Sequence, residues 1–142
     1  MKDLIWNVMG VALAVNGLFM LVAPLPWYGM TPGVVETGPF NPHFVRDIGC
    51  AYLVAGGGLL WLLRDQRAWP AAMASGAFLA LHAATHVWDF ALGRIELAHF
   101  ASDLVLVILP AVLVLRIAWR RRPSPGPTGH PLPQAGEGKN RS

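Results

Sequence analysis

The sequence predicts an all-α integral membrane protein built as a four-helix bundle, and three observations lead to that prediction. Of the 142 residues, 54% are hydrophobic and only 13% are charged, against about 25% charged residues in soluble domains. The hydrophobic residues form four long runs separated by polar turns, and the arginines lie at the ends of those runs. A chain of this length is one domain by the usual size range, and this composition places that domain in a lipid bilayer.

The first apolar run, residues 4–23, has the length of about 20 residues that a transmembrane helix needs. A cleaved signal peptide is the alternative, but its basic start would hold only Lys2 against Asp3, and its apolar core is usually only ~7–15 residues long. Pro24 and Pro26 stand where a small-residue cleavage site would be needed. We therefore predict a retained first helix.

Residues 24–42 are predicted to be a loop without regular helix, because five prolines recur in it: Pro24, Pro26, Pro32, Pro39 and Pro42. Trp27, Tyr28 and Phe40 make it too apolar for a flexible linker. Two interpretations stay open. The loop is either an interfacial anchor or a lid over a site.

Three further spans are predicted, over residues 43–63, 70–92 and 98–119. Pro110 should kink the last of them, with neighbouring helices satisfying the freed carbonyl. Residues 1–122 then form the membrane domain. Residues 123–142 are rich in proline, glycine and polar residues and are predicted to be a disordered cytoplasmic tail.

The orientation follows from the basic residues, which are more frequent in cytoplasmic loops. One end of a four-span bundle carries Lys2, Arg64, Arg67, Arg116, Arg120, Arg121 and Arg122. The other end carries only Arg46 and Arg94. Both termini are therefore predicted to be cytoplasmic.

Polar residues inside the spans fall at matching positions in three helices. His82, His86 and Asp89 are spaced i, i+4, i+7, so they share one face of the third span. The four-residue spacing recurs in the second and fourth spans, as His43/Asp47 and His99/Asp103. In the predicted topology all three sets lie near the periplasmic end of the bundle, where we expect a site.

Neutral imidazoles and carboxylates are ligands for Zn, Fe or Mn, and helix bundles build such sites from facing side chains. The candidate ligands are His43, Asp47, His82, His86, Asp89, His99 and Asp103. Cu(I) is less favoured because only Cys50 lies near as a soft ligand. Arg46 is the candidate to bind an anionic cofactor group, or to pair with Asp89 or Asp103.

Haem b is a less favoured cofactor, with His43 or His99 facing His86 and Arg46 on a propionate. Paired haems across the membrane are excluded because no histidine lies at the other end of the spans. Quinone and proton-pathway readings also stay open. The site would suit a membrane oxidoreductase acting on a lipid-soluble substrate.

A non-catalytic accessory membrane subunit is the alternative, in which the polar cluster only fixes helix packing. Its glycine-rich second span, with Gly49, Gly56, Gly57 and Gly58, would pack against a partner subunit or a second copy. Nucleic acid is excluded as a partner because the basic residues sit at span ends. The lone Cys50 excludes dithiol redox chemistry.

The span lengths, the Trp27-Tyr28 loop, the segment Thr37–Gly49 and the histidine-rich third span resemble a family of uncharacterised bacterial four-helix inner-membrane proteins. The chain is also remotely similar to DoxX-like proteins, over roughly residues 1–120. The resemblance implies a left-handed four-helix bundle in a bacterial inner membrane. It implies no catalytic residue. DoxX is associated with quinone-linked thiosulfate oxidation, but no motif beyond the span pattern matches.

Overall fold

The structure is a computed structural model that describes residues 2–123, so most of the predicted tail lies outside the described residues. Within this range the fold is all-helical, without strands. The helices are α1 (Lys2–Val22), α2 (Pro24–Met30), α3 (Pro42–Arg64), α4 (Trp69–Ala91), α5 (Leu97–Asp103) and α6 (Leu109–Arg120). A π-helical segment (Leu104–Ile108) joins α5 to α6, and short 3-10 turns occupy Val34–Glu36 and Gln66–Ala68.

Within residues 2–123, three helical runs are long and apolar enough to cross a membrane: Leu4–Val22, Pro42–Arg64 and Leu97–Arg120. The helical membrane character is therefore supported by the structure. Helix α4 also has 23 residues, but it is not among these runs. It carries two histidines and an aspartate, which lower its hydropathy. Its crossing and the orientation of the chain stay predictions.

The long helices pack in chain order, with α1 against α3, α3 against α4, and α4 against α6. One apolar core joins all four through Leu13, Leu59, Leu79 and Val114, each buried and each from a different helix. A second small cluster of Leu62, Ala68, Ala72 and Ala118 closes one end. We call this the basic end, because Arg64 and Arg120 flank it, and the opposite end, with His86 and His99, the cluster end.

Glycines set the close approach of α1 and α3. A methyl group at Gly49 would lie 2.8 Å from the carbonyl oxygen of Gly17, and one at Gly56 would lie 2.6 Å from the backbone nitrogen of Ala14. A methyl group at Gly58 would likewise collide with the Ser75 side chain on α4. Three glycines of the predicted partner-binding surface are therefore engaged inside this chain. Of the four glycines on this surface of α3, Gly57 alone has open space around it.

The prediction that residues 24–42 lack regular helix is wrong for the first part of that segment, since Pro24–Met30 forms α2. Pro24 and Pro26 fall in the first turn, where backbone N–H groups have no partner within the helix, so proline removes no bond there. The segment stays irregular after Met30 apart from its 3-10 turn.

The π-helical segment lies directly before Pro110. Proline offers no N–H to the preceding turn, and its ring crowds the carbonyl four residues earlier. A π-bulge changes the hydrogen-bond register locally, and such bulges are frequent at functional sites. The π-helical segment that precedes Pro110 therefore begins immediately after Asp103.

Candidate functional site

Asp103 is the centre of a polar cluster between α4 and α5. Its side chain is only 8% exposed, and its Oδ2 atom lies 2.9 Å from Nδ1 of His86. The Nε2 atom of His99 lies 3.7 Å from the same oxygen. Two imidazoles from different helices therefore approach one buried carboxylate oxygen.

The Oδ2 atom of Asp103 nevertheless accepts no hydrogen bond from the described residues. The 2.9 Å contact with His86 has the distance of an ion pair but lacks the alignment that a hydrogen bond requires. A buried polar atom without a hydrogen bond costs about 1–3 kcal/mol. This oxygen therefore keeps unused capacity to accept a hydrogen bond.

His99 connects the cluster to the surface. Its second ring nitrogen, Nδ1, lies 3.3 Å from Oε2 of Glu36, whose side chain is 69% exposed. Glu36 belongs to the 3-10 turn after α2, and Gly33 at the start of that turn lies against the His99 ring. The proline-rich loop therefore covers part of the site, as the lid interpretation expected, and also supplies a carboxylate to it.

Glu36 was missed by reasoning from the sequence. It lies in a loop, outside the helical spacing patterns that selected the other candidates. One signal was available, since Glu36 is the single carboxylate in residues 24–42. A lone charge in a segment rich in aromatic residues and proline was a reason to include it.

The cluster extends inward through ring contacts. The ring of His82 meets that of His86 edge to face, with centroids 4.9 Å apart. On its other side His82 stacks on Phe78 and meets the edge of Tyr52 from α3. Imidazole and phenol groups therefore continue from Asp103 toward the α3–α4 interface.

A shallow cavity of about 220 Å³ opens beside His99. Its polar lining consists of His99, Ser102 and the carboxylates of Glu36 and Glu96, and Pro32, Gly33 and Ala98 complete it. Water and small solutes can therefore reach the Glu36 side of the cluster.

Three predicted ligands lie apart from this cluster. His43 and Asp47 contact each other at 3.4 Å on α3, with side chains 88% and 59% exposed. Asp89 pairs with Arg94 at 2.8 Å. The structure thus brings together His82, His86, His99 and Asp103 and leaves the others outside.

Arg46 is exposed, and its Nε atom donates to the carbonyl oxygen of Leu21 at 3.3 Å. It satisfies a free carbonyl in the last turn of α1. The expected pairing of Arg46 with Asp89 or Asp103 is not found, because those carboxylates contact Arg94 and the two histidines instead. Its role toward an anionic cofactor stays a prediction.

Over residues 2–123, no group of three or more His, Cys, Asp and Glu side chains is arranged to hold a metal ion. Zinc needs ligand atoms about 2.0–2.2 Å from one common point. In the structure His86 and His99 approach the carboxylate of Asp103 itself. The Zn, Fe, Mn and haem b hypotheses stay predictions.

The fold and the cluster together define a class: an all-helical protein with membrane-spanning character and an acid–base cluster buried at one end. Comparison with protein families, with curated proteins and with solved structures finds no match to this chain. The DoxX-like resemblance stays a prediction.

Proposed function

We propose that this chain is a small multi-pass membrane protein whose His86–Asp103–His99 cluster exchanges protons between the aqueous surface and the interior of the helix bundle. The observation that carries this proposal is the oxygen of Asp103, buried between two imidazoles and without a hydrogen bond. Ionisable residues inside membrane helices are costly, and chains of Asp, Glu and His are how membrane proteins pass protons.

His99 supports this role by its two contacts. One ring nitrogen faces Glu36 and the other faces Asp103. An imidazole can take a proton on one nitrogen and release it from the other, and its ordinary pKa lies near neutrality. The contacts of 3.3 and 3.7 Å are long for direct transfer, but a small side-chain movement or one bridging water closes such gaps.

The inner end of the path is apolar. His82 stacks on Phe78, and Phe78 also lines an apolar groove of about 400 Å³ between α3 and α4. The cluster therefore borders, through the Phe78 ring, a surface suited to hydrophobic molecules. This placement favours acid–base chemistry on a lipid-soluble substrate. The bacterial inner membrane, with the cluster on the periplasmic side, is part of the proposal and rests on the sequence alone.

A second candidate function is an accessory subunit in which the cluster only fixes helix packing. The observation in its favour is the stack of Phe90 and Phe100, with centroids 4.1 Å apart and rings nearly parallel. This stack joins α4 to α5 beside the contact between His86 and Asp103. The two contacts together hold α4 against α5 at the cluster end, whether or not protons move.

Nitrogen-15 NMR of histidine-labelled protein in bilayers, followed through the pH range where imidazoles titrate, separates the two candidates. We expect Asp103→Asn to change solvent exchange at the ring N–H groups of both His86 and His99, and Glu36→Gln to slow it at His99. Asp47→Asn is the matched control, because its histidine partner is exposed on α3. If the spectra of His86 and His99 are the same in Asp103→Asn as in the wild type, or if neither ring exchanges with solvent, the packing role is the function.

A further inference from the structure

The basic end carries an exposed face of α6 formed by Arg116, Trp119 and Arg120. These residues are spaced i, i+3, i+4, so they are neighbours on one side of the helix. The intervening Ile117 and Ala118 are buried. We call these three residues the α6 basic face.

The two arginines of the α6 basic face have no carboxylate partner among residues 4–123. Asp65 is the one carboxylate at this end in that range, and it is engaged by Arg67 through contacts of 2.9 to 3.1 Å. The Arg67 hydrogen bond holds the pKa of the Asp65 carboxyl below its ordinary value. Asp65 therefore stays ionised and bound to Arg67 rather than available to Arg116 or Arg120.

Like charges four residues apart destabilise a helix. The helix dipole favours a cation in the last turn, which accounts for Arg120. Arg116 lies one turn earlier, where the dipole effect has faded. Two guanidinium groups at this spacing, without a carboxylate partner, would be stabilised by an anion bound between them.

The surroundings of the α6 basic face are those of a membrane interface. Trp61 and Trp119 are each 56% exposed at this end, and exposed tryptophans mark the headgroup level of a bilayer. The guanidinium of Arg122 lies 4.0 Å above the Trp119 ring. This cation–π contact keeps the indole in place beside the arginines.

The same side of α6 continues toward the membrane centre as an apolar surface. Leu109 and Val112 are exposed and precede Arg116 by seven and four residues, so they lie on its side of the helix. A molecule with an acyl chain and a phosphate would contact both parts at once. Inorganic phosphate or a nucleic acid would use only the charged part.

We infer that the α6 basic face binds the phosphate of an anionic phospholipid, with Arg116 and Arg120 pairing with the phosphate and the acyl chain lying on Leu109 and Val112. Guanidinium groups bind phosphate through two parallel hydrogen bonds, which gives both strength and orientation. This inference is independent of the proton-exchange function, because it concerns the opposite end of the bundle.

The test uses the full chain purified in detergent and native mass spectrometry with phosphatidylglycerol and phosphatidylcholine of identical acyl chains. We expect a clear preference for phosphatidylglycerol. Changing both arginines to glutamine should weaken phosphatidylglycerol binding roughly 30-fold, since each arginine near an anionic surface contributes a factor of about five. The charge-preserving Arg116→Lys/Arg120→Lys variant should retain part of the preference.

The matched control is Arg94→Gln, which removes one positive charge at the opposite end and should leave the preference intact. If the double glutamine variant fails to fold, Arg116→Gln alone should still show a loss of about fivefold. Equal binding of the two lipids, or an equal loss in Arg94→Gln, would overturn the inference. Displacement of the lipid by equimolar inorganic phosphate would also overturn it, because the face would then be a site for a free anion.

Discussion

Gly33 lies directly against the imidazole of His99, where an added methyl group would overlap the ring atom Nε2. Gly33 also has a φ of 78°, a backbone conformation that costs a residue with a side chain about 1–2 kcal/mol. Both observations show that the loop after α2 packs directly on His99. The same loop places Glu36 next to this histidine.

Gly33→Ala should therefore lift this loop from the site. We expect His99 to become several-fold more reactive toward diethyl pyrocarbonate, measured by peptide mapping. Gly29→Ala is the control, because Gly29 has ordinary φ and no atom within 4 Å of an added methyl group. Unchanged reactivity of His99 in Gly33→Ala would contradict the close packing of Gly33 on His99.

Asp103→Ala should destabilise the fold more than Asp47→Ala. The first change removes a buried side chain that contacts two imidazoles at the α4–α5 interface, and we expect a loss of about 0.5–3 kcal/mol. The second removes an exposed pair on α3, and such pairs contribute about 0–1 kcal/mol. Thermal unfolding in detergent measures both variants. Equal losses of stability in the two variants would show that the contacts of Asp103 do not stabilise the packing of α4 on α5.

Gly49→Ala should force α1 away from α3, because the new methyl group would meet the Gly17 carbonyl oxygen. Overpacking of this kind costs about 1–3 kcal/mol. Gly57→Ala, eight residues further along the same helix, meets open space and should be neutral or stabilising by up to about 1 kcal/mol. Unfolding that is unchanged in Gly49→Ala would exclude the close helix contact.

Metal content tests the cluster chemistry independently. The purified protein is expected to fold without stoichiometric zinc, iron or manganese, because His86 and His99 approach a carboxylate rather than a common point between ligands. Elemental analysis of the wild type, His86→Ala and His43→Ala decides the matter. One equivalent of metal that is lost in His86→Ala and kept in His43→Ala would assign the cluster to metal chemistry instead.

The membrane topology is tested with single cysteines in a Cys50→Ser background. If α4 crosses the bilayer, Gln66→Cys and Glu96→Cys lie on opposite sides, and a membrane-impermeant maleimide applied to right-side-out cells labels only Glu96→Cys. Both positions belong to connections that flank α4. Labelling of both from one side would mean that α4 does not cross.

The positions of the long helices could be predicted from the sequence, because they depend on local properties. Apolar runs of sufficient length gave spans that agree closely with α1, α3, α4 and the α5–α6 helix. The start of α3 also has a local cause, since the Asn41 side chain accepts hydrogen bonds from the backbone of His43 and Phe44. The helix at Pro24–Met30 was missed because prolines were counted without regard to their place in the first turn.

The make-up of the site was decided by tertiary structure alone. His43/Asp47 and His99/Asp103 have the same spacing, yet the first pair is exposed and the second is buried. Spacing tells which residues share a helix face, but long-range packing sets the direction in which that face turns. Helix α3 turns its glycines to α1 and leaves His43 outside, whereas α5 packs on α4 and brings Asp103 to His86.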